Sequence, residues 1–334
     1  MEREGRVVPA TLVTPVGVPS PPAWVALHGI TRPGRSHPGL QRFTRAVAAA
    51  GVATIVPEVP EWRELLLRPD LTAATVTAGI AGLRETGIAV DRPVGVVGFS
   101  FGAPHAIATA SHPELASEIG AVASFGGYAD LEATLRFMMF GHHEWGGCTH
   151  RLLPDPYGRW IVAGNFLTHV PGFDEAGDVA AALLELGRIS GDVGAYAWDP
   201  VYDPSIREMR ARVAAPRRPL FDEFATESTS RRPDVDPEWP SRLAAAARSV
   251  VPSIDPVETL GEPQAPVTIL HGFRDNLIPF SEAHRLGRVA GGADTTVTVT
   301  RLFGHSGQDE LRLGEALREL PPFARTLGRL LYMV

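Results

Sequence analysis

Three residues far apart in the chain share one local setting, and each is of a type used in acyl transfer. Ser100 stands in "GFSFG" (Gly98–Gly102), Asp275 in "LHGFRDNLIP" and His305 in "LFGHSGQDE". Each follows a short apolar or β-branched run: Val94–Val97, Val267–His271 and Thr295–Leu302. A serine hydroxyl is a weak nucleophile. It needs a base to take its proton, and the base needs an acid to orient it. Taken singly, each residue has an ordinary alternative: a capping serine in a glycine-rich turn, a turn aspartate, a surface-loop histidine. Together they favour the chemical reading, because all three fall where parallel strands end, the edge at which such sheets build their sites.

The glycines around Ser100 have a steric reason. A strand-to-helix turn this tight leaves no room for side chains at positions 98 and 102, and it projects the serine hydroxyl beside a helix N-terminus. Attack on a carbonyl also develops negative charge on its oxygen, which preorganised N–H groups stabilise. Phe101 N–H, directly after the serine, is one candidate donor. "ALHGIT" (Ala26–Thr31) ends another strand and offers Ile30 N–H as the second, with Gly29 letting the backbone turn inward. His28 reads as a structural hydrogen-bonder rather than a second base.

The elements that must hold these residues alternate. Strands are expected at Ala23–Gly29, Val52–Pro57, Val94–Ser100 and Ile119–Gly127, with helices at Leu40–Gly51 and Thr72–Gly87 between them. That order means parallel β-α-β units with a sheet buried on both faces. From Tyr128 to about Leu260 no strand series is visible. "DLEATLRFMMF", "GDVAAALLELGRI" and "SRLAAAARSVV" have helical spacing, and Ala215–Pro240 is the most loop-like piece. Alternation then resumes: a strand at Ala265–Phe273, a helix opening on a Ser281 cap, a strand from Thr295, and helix to the end.

Composition narrows the class. The 334 residues carry a net charge of −7, which argues against nucleic-acid or anionic-membrane surfaces. All 31 basic residues are arginine, so Schiff-base, P-loop and Ser–Lys chemistry are excluded. Cys148 is the one cysteine, which excludes an intramolecular disulfide and a multi-cysteine zinc cluster. No signal-peptide pattern and no apolar run of membrane length stand out, so the expectation is a soluble, cytoplasmic protein with no membrane span.

"LHGI", "GFSFG", "GFRDNLIP" and "FGHSG" together make the chain resemble the α/β-hydrolase family, in particular its esterase and lipase-like members. Residues 20–127 and 262–334 carry the resemblance. It implies an α/β fold with a mostly parallel, doubly wound, eight-strand-like sheet and a mainly helical cap inserted after the sixth strand. Residues 128–260 take that place, leaving 1–127 and 261–334 as the core. It implies Ser100 as nucleophile, Asp275 as acid, His305 as base, and Ile30 and Phe101 as oxyanion donors. Some relatives place the acid after the preceding strand, which makes Asp130 the alternative. The implied reaction is hydrolysis of a small-molecule carboxylic ester through an acyl-enzyme, with no cofactor and no metal. The same triad serves peptidases, amidases and acyltransferases, and a non-catalytic binding protein is a further alternative. "HGI" departs from the three-glycine form of many lipases. Ser100 sets aside the subgroups with aspartate or cysteine nucleophiles.

Two other clusters invite a role. Phe137, Met138, Met139 and Phe140 form a dense apolar run that reads either as core or as a wall for an acyl chain. His142, His143, Glu144, Cys148 and His150 gather ligand-type side chains, but without a structural zinc spacing. A loop at the pocket mouth is the expected reading there.

Overall fold

In the computed structural model, residues 1–229, 235–291, 294–302 and 313–332 are described. Seven strands form the main sheet: β1 (Ala10–Val13), β2 (Ala23–Leu27), β3 (Ala53–Pro57), β4 (Val94–Phe99), β5 (Ile119–Phe125), β6 (Val267–Gly272) and β7 (Thr295–Thr300). Their spatial order is β7-β6-β5-β4-β2-β3-β1. All neighbours are parallel except β1, which pairs antiparallel with β3. The N-terminal stretch "GRVVPATLVTP" thus supplies the antiparallel edge strand. β2, β3 and β6 are buried along their whole length, as continuous apolar runs covered on both faces must be.

Helices α1 (Pro38–Ala49), α2 (Thr72–Glu85) and α3 (Gly102–Ala110) connect the first parallel strands. After β5 comes a long insertion: α4 (Leu131–Phe140), α5 (Pro156–Phe166), α6 (Gly177–Val193), α7 (Asp203–Arg212), α8 (Arg218–Phe224) and α9 (Trp239–Val250). The chain then rejoins the sheet at β6, followed by α10 (Ser281–Ala290), β7 and α11 (Leu313–Tyr332). The sheet has seven strands among the described residues, so the insertion leaves its fifth strand, the one that the resemblance counts as sixth.

Three local expectations change. Residues 142–151 are a two-stranded hairpin, His142–Trp145 with Cys148–Arg151, turned by Gly146 and Gly147 at φ +59° and +76°. Only glycine takes two successive left-handed positions cheaply, which is why this turn is Gly-Gly. Ala215–Pro240 holds a short helix, α8, inside the stretch expected to be loop. Ser281 is the first residue of α10 rather than its cap, and its buried Oγ has no hydrogen-bond partner.

Candidate active site

Ser100 follows β4 directly and has φ +54°, one of few non-glycine residues with positive φ. Such a backbone is strained and persists only where its surroundings fix it. Here its N–H donates to Phe125 O at 2.8 Å, and its carbonyl accepts Ala103 N–H at 2.9 Å. A Cβ on Gly98 would run into the Gly102 carbonyl. One on Gly102 would come within 2.8 Å of His28 O, and one on Gly29 within 2.9 Å of Ser100 Cβ and 3.4 Å of its Oγ. The three glycines are therefore required by close approach, and they press β2's end against the serine. Phe101 begins the helical backbone, with its ring edge-on to Trp62 at 5.3 Å.

The β2 end is held by His28, itself buried. Its Nδ1 donates to Gly29 O at 2.8 Å, and its Nε2 lies 3.0 Å from Val59 N and 3.1 Å from Glu58 Oε1. The expected structural role for this imidazole fits these partners. Tyr157, from α5, donates its hydroxyl to Ile30 O at 3.2 Å.

Asp275 sits in the turn after β6 and is fully buried. Its Oδ1 accepts Leu277 N–H at 3.0 Å and Ile278 N–H at 2.9 Å. His271 Nε2 donates to Ile278 O at 2.9 Å and lies 3.4 Å from Asp275 Oδ2. One carboxylate oxygen is thus spent on the turn, which fixes where the other points. Asp130 is occupied differently: its Oδ1 caps α4 by accepting Ala133 N–H at 2.9 Å. His305 lies outside the described residues.

Ser100, Ile30 and Phe101 line one cavity of about 70 Å³. The insertion supplies its other wall through Leu131, Met138, Tyr157 and Ile161, and the Asp275 turn adds Leu277 and Ile278. Among the described residues the lining holds no charged side chain. Of the four apolar residues at the start of the insertion, Met138 reaches this cavity. Phe137 and Met139 are buried elsewhere, Phe137 edge-on to His143 at 5.6 Å, and Phe140 faces His142 at 6.3 Å. Tyr157, Tyr128, Leu67 and Ile161 were not visible as site residues in the sequence. "LPDPYGRW" carries an Asp-Pro helix start, which marks α5 but not what its tyrosine faces.

A larger cavity of about 240 Å³ lies between α2, α3 and Ser253–Leu260, and Ser100 is not among its lining residues. His105, on its wall, donates from Nε2 to Tyr128 OH at 3.2 Å, because that hydroxyl donates to Ile254 O at 2.7 Å. Burial lowers the His105 pKa to about 3, so the imidazole is neutral. On the hairpin, His143 and His150 stack at 5.1 Å. Among the described residues no three histidine, cysteine or acidic side chains converge as a metal site would need.

The strand order, the strained serine after β4 and the buried Asp275 turn after β6 define an α/β-hydrolase fold, and solved structures agree. The chain is similar to the rice cell wall degrading esterase from Xanthomonas oryzae. Against a mutant form of that esterase the TM-score is 0.56 at 13% identity, covering 97% of this chain and 85% of that one. Against its ligand-bound form the TM-score is 0.52 at 13% identity, covering 96% and 84%. At such identity the likeness is one of fold. No protein-family model and no curated protein matches the sequence. No helix among the described residues is long and apolar enough to cross a membrane.

Proposed function

We propose that this protein is a serine hydrolase that cleaves carboxylic esters with a small, uncharged acyl group. The observation that carries the reading is Ser100, strained at φ +54° and opening onto an apolar cavity that Ile30 and Phe101 also line. Ser100 Oγ attacks the ester carbonyl carbon while its proton passes to the His305 imidazole. Ile30 and Phe101 N–H groups hold the oxyanion, and Asp275 orients His305 and stabilises its positive charge. The carbon–oxygen bond to the alcohol then breaks, and His305 returns the proton to the departing oxygen. Water, deprotonated by His305, attacks the acyl-enzyme; the acid leaves and Ser100 regains its proton. Residues 128–260 act as the cap that covers and shapes the site, on a core of 1–127 and 261–334. The apolar side chains that line the cavity among the described residues support the choice of acyl group, since they offer a charged acyl chain no partner.

A fluorophosphonate probe followed by peptide mass spectrometry tests the assignment. The label is expected on Ser100 alone, and Ser100→Ala should lower kcat for p-nitrophenyl butyrate by about 10⁴ to 10⁶. Labelling of a different serine, or full turnover by the folded variant, would refute it.

A further inference from the structure

The backbone of Ile30 is gripped on both sides. The carbonyl before its N–H, Gly29 O, accepts His28 Nδ1–H at 2.8 Å, and its own carbonyl accepts the Tyr157 hydroxyl at 3.2 Å. A peptide unit is planar and trans, so fixing the Gly29 carbonyl fixes the plane in which Ile30 N–H points. Fixing the next carbonyl removes the remaining freedom about Ile30. The two grips come from different parts of the molecule. His28 belongs to the sheet; Tyr157 belongs to the insertion.

The position of Tyr157 is set by the other side of the site. Asp155 caps α5 by accepting Tyr157 N–H at 2.9 Å, and its own N–H donates to Asn276 O at 2.8 Å, next to Asp275. The first turn of α5 therefore spans from the acid turn to the candidate oxyanion loop. Gly158 follows, and a Cβ there would meet Met138 Cε at 2.6 Å and Leu277 Cδ1 at 3.0 Å. The helix backbone thus packs directly against Met138 and the Asp275 turn. Arg32, two residues beyond Ile30, also reaches the insertion, at Asp192 Oδ1 and 3.3 Å, but that pair is solvent-exposed and adds little. Burial pushes the Tyr157 pKa well above its ordinary value, so the hydroxyl stays a donor at any working pH.

We propose that Tyr157 is a positioning residue: through Ile30 O it fixes the direction of the Ile30 N–H, so that the oxyanion donor is complete only when the insertion is docked. The inference rests on the serine-hydrolase reading above. It makes the insertion part of the catalytic geometry rather than a cover, because the same helix that walls the cavity sets the donor.

Tyr157→Phe keeps the ring and removes only the hydroxyl. Losing an oxyanion donor outright costs about 10²–10³ in kcat, and a donor left in place but loosened should cost less, about tenfold. KM for p-nitrophenyl butyrate should stay within twofold. Phenylboronic acid, which forms a tetrahedral adduct on the serine, should bind more weakly by the same factor as kcat/KM falls. The unreactive amide analogue of the substrate should bind as before. An unchanged kcat and boronate affinity would overturn the inference. So would a raised KM with unchanged kcat, which would make Tyr157 a substrate wall only. Ser100→Ala, run in parallel, separates the two claims. If it is inactive while Tyr157→Phe behaves as the native protein, only this inference fails; if it is active, the reading of the site fails.

Discussion

Ser100 holds a left-handed backbone at a cost of about 1–3 kcal/mol, and the cost is sustained by neighbours without side chains: Gly29, Gly98 and Gly102. Asp275 and Asp130 show the complementary case, two carboxylates whose hydrogen bonds give them different work. Asp275 uses Oδ1 on two backbone N–H groups of its own turn, and Asp130 uses Oδ1 as a helix cap. Asn at 275 can still accept both N–H groups through its amide oxygen, but it carries no charge for the proposed base, His305. Asp275→Asn is therefore expected to fold and to lose about 10³–10⁴ in kcat. Asp130→Ala should lose about 1 kcal/mol of stability with its cap and little turnover. Steady-state kinetics beside urea unfolding separate the two effects, and exchanged phenotypes would move the acid to the earlier strand. Both aspartates were legible in the sequence as candidates. The sequence ranked Asp275 first, from its place after the strand before His305, but which backbone N–H groups each carboxylate accepts was legible only in the folded turns.

The same limit holds for elements. β-branched runs between glycines and prolines gave away the parallel strands, since strands buried on both faces read as unbroken apolar segments. α5 was missed because nearly every residue from Pro156 to Ala163 is buried, which erases amphipathic spacing. α7 was missed for the opposite reason, having only Ile206 and Met209 buried. The hairpin at 142–151 carried a usable signal, its Gly-Gly pair, which reads equally as a loop when the flanking runs are short and rich in histidine. One of them, His143, is buried between Phe137, Phe280 and His150 with neither ring nitrogen hydrogen-bonded. Burial, then the nearby His150, lowers its pKa to about 4. Between pH 4 and the ordinary value near 6.5 the unfolded chain binds this proton and the folded chain does not. Stability therefore falls as pH drops through that window and is unaffected by His143 above it, each pH unit of the gap being worth about 1.4 kcal/mol. His143→Leu should flatten the loss of stability from pH 6.5 to 4 in chemical denaturation. An unchanged slope would mean the imidazole reaches water in the native state.

At the scale of the whole molecule, sheet and insertion are joined more tightly than their separation in sequence suggests. Leu27 of the sheet, with Val59 and Trp62 beside it, belongs to one continuous buried cluster with Leu135, Trp160 and Leu183 of the insertion. The two crossings between them are bonded with buried groups. Glu282 of α10 accepts Ala129 N–H at 3.0 Å and Asp130 N–H at 2.8 Å; Asp255 accepts Leu131 N–H at 3.2 Å; and Tyr128 donates to Ile254 O. Val257 N–H donates to Ala129 O at 2.9 Å, tying the outgoing strand end to the returning chain. Each such group left unpaired in the interior would cost about 1–3 kcal/mol, and separating the halves would also expose the shared apolar surface to water. The two halves are then expected to unfold together. Scanning calorimetry is expected to give one transition whose calorimetric and van't Hoff enthalpies agree. Replacing residues 132–252 by a short Gly/Ser linker should yield a chain without a cooperative transition, because the linker restores none of the covering side chains. Two resolved transitions, or a shortened chain that melts sharply with native sheet content, would show that the insertion is a separable lid, and the tie between α5 and Ile30 would then be a contact that the sheet does not depend on.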